Sequence, residues 1–152
     1  MKTVITYGTF DLFHIGHLNL LRRLKMTGDR LVVGVSTDEF NASKGKLTVI
    51  PYEDRAAIVA SVRHVDAVFP ESSWDQKIQD IAAYEADVFA IGDDWRGKFD
   101  FLKEHCEVLY LPRTSSVSST MLKKSLNPLQ GQKLADFKTA LDAVATLLHD
   151  LG

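Results

Sequence analysis

Residues 3–17 read TVITYGTFDLFHIGH, and the way this stretch divides decides the fold. TVITY at 3–7 is a short, largely β-branched and apolar run of strand length. Tyr7-Gly8-Thr9-Phe10-Asp11 then supplies a glycine-containing turn. Beyond His17, Leu18, Leu21 and Leu24 fall on one side of a helix expected over 17–26, with Gly28 as its C-cap. The segment from Thr9 to His17 therefore sits on a strand-to-helix turn. A helix start offers free backbone N–H groups and a positive dipole end, both of which favour phosphate. Gly16 lets the backbone approach a ligand without a Cβ in the way. His14 and His17, three residues apart, can both donate hydrogen bonds to one anionic group and stabilise charge that builds on it. H-x-G-H is expected by chance in under about one in a hundred chains of this length. A metal-ligand pair is the first alternative, but no tidy set of Cys or acidic residues lies nearby to complete it. A purely structural pair is the second. The residues point instead to a site for the phosphates of a nucleoside triphosphate.

Working outward, similar apolar runs recur at 31–36, 67–69, 88–91 and 108–111. Short runs of this kind suit strands buried on both faces, as in a parallel sheet. Helical spacing lies between them. One segment is 52–62, with Ala56, Ile58, Val59 and Val62 apolar and Pro51 just before it; another is 75–84, with Ile78, Ile81 and Ala82. The alternation implies an α/β domain with a central parallel sheet flanked by helices and right-handed crossovers. Ligands in such folds bind beyond the carboxyl ends of the strands, where strand order reverses. The turn at 9–17 falls there. Residues 1–126 are expected to form this domain and 127–152 a helical extension, because Leu134, Phe137, Leu141, Val144 and Leu148 make one apolar stripe. That stripe is expected to pack on the domain or on a sister subunit, with an adaptor role for another protein as the alternative.

The 152 residues suffice for one ordinary domain core, and the hydrophobic and charged shares, 45% and 25%, match soluble globular usage. A formal net charge of −2 argues against a broad nucleic-acid footprint, and no basic stripe with interleaved aromatics is present. Cys106 is the single cysteine, so no intrachain disulfide forms; its apolar run, CEVLYL, marks it as a buried strand residue. No signal-peptide pattern and no apolar run of about 20 residues is found, which makes the cytoplasm the expected location.

A second cluster lies at 113–120, where Arg113 precedes TSSVSST and an apolar-periodic stretch opens at Met121. A cation with a hydroxyl-rich run at a helix start makes a second phosphate cradle, although such runs also serve simply as caps. Thr9 and Phe10 offer backbone N–H groups to a nucleotide. Asp11 either orients a histidine or caps the helix, and both readings stay open. Lys44, Lys46 and Lys77 read on their own as solvated surface charges. If both substrates are anionic, Lys44 and Lys46 gain a role, since they lie in a polar segment able to close over the site.

The chain resembles the cytidylyltransferase family, nearest its bacterial members that act on glycerol 3-phosphate. The resemblance rests on YGTFDLFHIGH, on GVSTDEFN with Lys44 and Lys46, on YEDR at 52–55, on Gly92-Asp93-Asp94-Trp95 leading into GKFDFL, and on LPRT with its Ser/Thr run. It covers about residues 2–126. It implies a Rossmann-like domain, a homodimer, and transfer of CMP from CTP to sn-glycerol 3-phosphate with Mg²⁺ assistance, the ion being carried on the nucleotide phosphates. CDP-glycerol for polymers of the teichoic-acid or capsule type would be the product. By resemblance, Thr9, Phe10, His14, Gly16, His17, Lys46 and Asp94 belong to the nucleotide site, together with Arg113, Thr114, Ser118, Ser119 and Thr120. His14, His17, Lys46 and Arg113 would carry catalysis. Lys44 and Lys77 match acceptor positions, and Arg63 and Asp66 match charged positions of supporting importance. The family's second motif resembles R-T-x-G-I-S-T-T, whereas this chain has Ser116 in place of Gly and Ser119 in place of Thr. Ser119 keeps the hydroxyl; Ser116 lacks the freedom of Gly to take positive φ, so the loop before Ser118 is expected to differ in shape. The alternatives are a transferase of the same fold using ethanolamine phosphate, choline phosphate, another polyol phosphate or FMN with ATP, and a nucleotide-binding module without catalysis.

Overall fold

Five strands make one parallel sheet: β1 (Thr3–Gly8), β2 (Arg30–Ser36), β3 (Ala67–Glu71), β4 (Val88–Gly92) and β5 (Glu107–Leu111). They are those expected from the apolar runs, each extended by one or two residues. The computed structural model describes residues 1–113, 119–125 and 132–151. Strand order is β3-β2-β1-β4-β5, so the chain builds outward from β1 on one side and then returns to build on the other. The reversal falls between β1 and β4, and the crevice beyond their carboxyl ends is where an open α/β sheet receives a ligand. β3 is an edge strand, which is why it tolerates Pro70.

Period-two alternation sends residues to two cores. Val4, Leu31, Val33, Val35, Val88 and Ala90 face one side, where Leu21 and Leu24 of α1 (Ile15–Lys25) and Val59 of α3 (Tyr52–Ala60) cover them. Ile5, Tyr7, Val32, Phe89 and Ile91 face the other, under Ile81 of α4 (Lys77–Ala83) and Phe99 and Leu102 of the turns that follow β4. Both faces of the strands are therefore buried, which explains why they read as continuous apolar runs rather than alternating ones.

Two expectations are corrected. Gly28 is not the C-cap of α1: Met26 is, in an ordinary right-handed conformation. Gly28 is small for a different reason, since a Cβ there would lie 2.6 Å from Val4 Cγ2 and 2.8 Å from the Lys2 carbonyl. Residues 38–43, for which the sequence carried no assignment, form a short helix, α2 (Asp38–Ser43), capped by the Thr37 side chain and led by Asp38 and Glu39. Cys106 is half-buried just before β5 rather than inside it, and burial raises its thiol pKa.

The chain divides into two compact units, Met1–Val117 and Ser118–Gly152. The first holds the sheet. The second contains α5 (Ser119–Ser125) and α6 (Gln132–Leu151), the latter running for 20 residues. In the single chain the stripe on α6 is open to solvent, with Phe137, Leu141, Val144 and Leu148 between 51% and 66% exposed. No helix among the described residues is long and apolar enough to cross a membrane.

Candidate active site

The turn from β1 into α1 is held in an unusual backbone conformation. Phe10 and Leu12 have positive φ, 55° and 50°, a region that costs a side-chain-bearing residue on the order of 1–2 kcal/mol. Phe10 is locked there by burial of its ring beneath Gly8, where a Cβ would come within 2.8 Å of the ring. His14 is the N-cap of α1, and its Nδ1 accepts from the Gly16 N–H at 3.0 Å. His17 completes a reciprocal capping box, its Nδ1 accepting from the His14 N–H at 3.2 Å. Each Nδ1 is therefore an acceptor, so each proton sits on Nε2. The two rings stack with centroids 4.0 Å apart. Burial lowers the pKa of both. His17 goes down to about 4, with neighbouring His14 and Lys46 adding to the effect and Asp11 opposing it. At neutral pH the pair is two uncharged imidazoles presenting Nε2–H donors.

Buried polar residues tie this turn to its neighbours. Asp11 accepts from the N–H groups of Val49 and Ile50 at 2.8 and 3.0 Å. Of the two sequence readings of Asp11, helix capping is therefore ruled out, because His14 caps α1. Arg55, with its side chain fully buried, donates to the carbonyls of Ile50, Thr9 and Ser36 at 2.8 Å each and to Asp38 at 2.6 Å. One guanidinium thus joins the carboxyl ends of β1 and β2 to the segment after α2. The Tyr52 N–H and Arg55 hold the Asp38 carboxyl below its ordinary pKa. Lys44 closes α2, Gly45 turns the chain at φ 70°, and the Lys46 N–H returns to the Asn41 carbonyl at 2.9 Å. Lys44 and Lys46 therefore stand on a short arch anchored at both ends.

Beyond the ends of β1 and β4 lies a cavity of about 150 Å³. Lys44, Lys46 and Lys77 line it, with Tyr7, Trp74, Trp95 and Phe99 as aromatic walls and Ser36 and Glu71 as further polar groups. Lys46 Nζ donates to Thr9 Oγ1 at 3.3 Å, linking the arch to the turn after β1. Burial lowers the Lys44 pKa, and Lys46 and Lys77 push it the same way against Glu71. Lys77 is not a surface charge. It is 1% exposed and pairs with Glu71, itself 3% exposed, at 2.7 Å.

Of the expected site residues, Thr9, Lys44, Lys46 and Lys77 line one cavity, while Phe10, His14, Gly16 and His17 sit on the adjoining turn, His17 within electrostatic reach of Lys46. Asp94, in the turn after β4, and Arg113, after β5, form an ion pair at the carboxyl edge of the sheet. Arg63 and Asp66 lie elsewhere. They precede β3, at the opposite end of the strands, where Asp66 accepts from the Leu31 N–H at 2.7 Å and from Lys25 at 2.5 Å. Thr114, Ser116 and Ser118 lie outside the described residues; Ser119 and Thr120 open α5. Arg55, Glu71, Ser36 and Trp74 were missed as site residues. The signal for Glu71 was a charge at the end of an otherwise apolar strand; Arg55, beside Glu53 and Asp54, carried none.

No group of three or more His, Cys, Asp or Glu that could hold a metal ion occurs among the described residues. Asp11 and Glu71 already accept two hydrogen bonds or more each.

The chain matches the cytidylyltransferase-like family over residues 5–125. It is 57% identical over 129 residues to the glycerol-3-phosphate cytidylyltransferase of Bacillus spizizenii, covering 85% of this chain and 100% of that protein. It is 52% identical over 126 residues to the enzyme of the same name from Staphylococcus aureus, covering 83% and 96%. Among solved structures, a lipopolysaccharide core biosynthesis protein from Thermoplasma volcanium shares the fold, with a TM-score of 0.67, 24% identity and coverage of 76% and 99%. The H-x-G-H turn, the sheet order and this match agree: the chain belongs to the cytidylyltransferase-like family.

Proposed function

We propose that this chain transfers CMP from CTP to sn-glycerol 3-phosphate, giving CDP-glycerol and pyrophosphate. The observation that carries the reading is the crevice itself. Two neutral imidazoles stand at a helix start, His17 within electrostatic reach of Lys46, and Lys46 lines a cavity with Lys44 and Lys77, an arrangement for two phosphate-bearing substrates that repel each other. The names of the Bacillus spizizenii and Staphylococcus aureus relatives supply the acceptor and the nucleotide.

In the transfer, a phosphate oxygen of the acceptor attacks the α-phosphorus of CTP in line. The bond from that phosphorus to the β-bridging oxygen breaks, and pyrophosphate leaves with the electron pair. A phosphate monoester is already largely ionised at neutral pH, so the nucleophile needs no base. The histidines therefore work as donors. His14 and His17 stabilise the crowded α-phosphate through Nε2–H, and Lys46 and Arg113 hold the β- and γ-phosphates. Lys44 and Lys77 receive the acceptor. Mg²⁺ carried on the nucleotide phosphates would supply neutralising charge for the departing pyrophosphate, beside Lys46 and Arg113. A homodimer is the expected assembly.

Pyrophosphate release measured over a grid of nucleotides and phosphoacceptors tests this directly. CTP with glycerol 3-phosphate should exceed every other pairing, and a faster pairing of ATP with FMN or of CTP with choline phosphate would overturn it.

A further inference from the structure

The Lys77 ammonium sits inside an aromatic box. Its Nζ lies 4.4 Å from the Tyr7 ring centroid, 5.1 Å from that of Trp74 and 5.3 Å from that of Phe99. The fourth side is the Glu71 carboxylate, whose Oε2 accepts from Lys77 at 2.7 Å while its Oε1 accepts from Ser36 Oγ at 2.6 Å. Tyr7 is fixed in turn by donating its hydroxyl to Asp80 at 2.8 Å. Aromatic faces enclosing a cation, with a buried carboxylate beside them, are the chemistry by which proteins recognise organic ammonium ions. Here the box opens on the acceptor cavity, and the chain fills it with its own side chain.

We propose that Lys77 acts as a built-in ammonium, occupying a box that would otherwise take a cationic substrate group and so restricting acceptors to phosphate esters of uncharged alcohols. An acceptor with an ammonium tail finds the box full and meets a like charge at its rim, and both effects reject it. An uncharged hydroxylated tail meets an N–H donor instead. The three lysines and one carboxylate leave a net positive lining that holds the acceptor phosphate. Lys77 is on this view a specificity-determining residue, and the inference rests on the transferase reading above.

The test uses the full chain with Lys77→Ala and Lys77→Met, assayed with CTP and with glycerol 3-phosphate, ethanolamine phosphate or choline phosphate. The kcat/KM for ethanolamine phosphate should itself rise in both variants, and its ratio to that for glycerol 3-phosphate by at least about tenfold, as expected when a like-charge contact is removed; a ratio raised only by loss of glycerol 3-phosphate turnover would overturn the proposal. KM for CTP should stay within about twofold of wild type, since the box lies on the acceptor side. Ethylammonium chloride at tens of millimolar should raise the Tm of Lys77→Ala above a sodium chloride control and leave wild type unmoved. A folded variant with the wild-type acceptor ratio would overturn the proposal, as would an absent ethylammonium effect. If Lys77→Ala does not fold, the ratio in Lys77→Met decides. Wild type silent with every acceptor would instead remove the transferase reading, and the ethylammonium shift would still decide whether the box takes an ammonium.

Discussion

His14 uses its two ring nitrogens for different work. Nδ1 caps α1 and Nε2–H is the donor assigned to the phosphate in the proposed transfer, so structure and chemistry can be separated by substitution. His14→Asn keeps an oxygen able to accept from the Gly16 N–H and should change stability by only a few tenths of a kcal/mol. It deletes the Nε2 donor, and kcat should fall by about 10²–10³ with KM for CTP much less affected, as for loss of one oxyanion-type donor. Steady-state kinetics beside thermal melts check both halves; near wild-type turnover would remove His14 from the chemistry. The pH dependence follows from the same pair. The unfolded chain protonates its histidines near 6.5, whereas His17 in the fold is held down to about 4 and His14 is lowered too. Between those values the unfolded state binds more protons. Stability from His17 is thus full above about pH 6.5 and is lost as pH falls toward 4, at ~1.4 kcal/mol for each pH unit crossed. Urea melts from pH 7.5 to 4.5 should show that downward slope, and His17→Gln should flatten it. The H-x-G-H spacing announced a phosphate site; the capping box was not legible, because which nitrogen bonds what depends on a backbone turn with two residues at positive φ.

The elements were largely readable, and where they were not the reason is specific. β1 to β5 showed as apolar runs because both faces of the sheet are buried. α2 was missed because its six residues, DEFNAS, are too few to display a 3.6-residue period; Thr37 followed by two acids was the only sign. Arg55 was hidden for the opposite reason: it reads as a polar helix position, and only the third dimension shows it gathering carbonyls from two strand ends and a loop. Arg55→Met would leave the Thr9, Ser36 and Ile50 carbonyls unpaired in a dry place, with a loss on the order of 3 kcal/mol in denaturant melts. Activity should drop as well, because the arch carrying Lys44 and Lys46 loses its anchor. Asp11→Asn cannot accept both N–H groups of Val49 and Ile50, and it should raise KM for both substrates more than it lowers Tm.

At the scale of the molecule, strand order puts the reversal between β1 and β4, and that is why the first strand-to-helix turn and the turn after β4 border one crevice. The family match ends at residue 125, ahead of α6, whose apolar stripe is open in the single chain. Truncation after residue 126 should therefore leave CTP-dependent transfer in place. Light scattering on full-length and truncated chains measures what α6 adds: a smaller particle after truncation, beyond the mass removed, is expected if the stripe joins copies. The central claim is transfer itself, and phosphorus NMR of a reaction containing CTP, glycerol 3-phosphate and Mg²⁺ tests it most directly. The diphosphate signals of CDP-glycerol and the signal of pyrophosphate should grow in equal amounts with wild type and stay at background with His14→Asn. Pyrophosphate appearing with CMP instead of CDP-glycerol, or no change in CTP at all, would contradict the account.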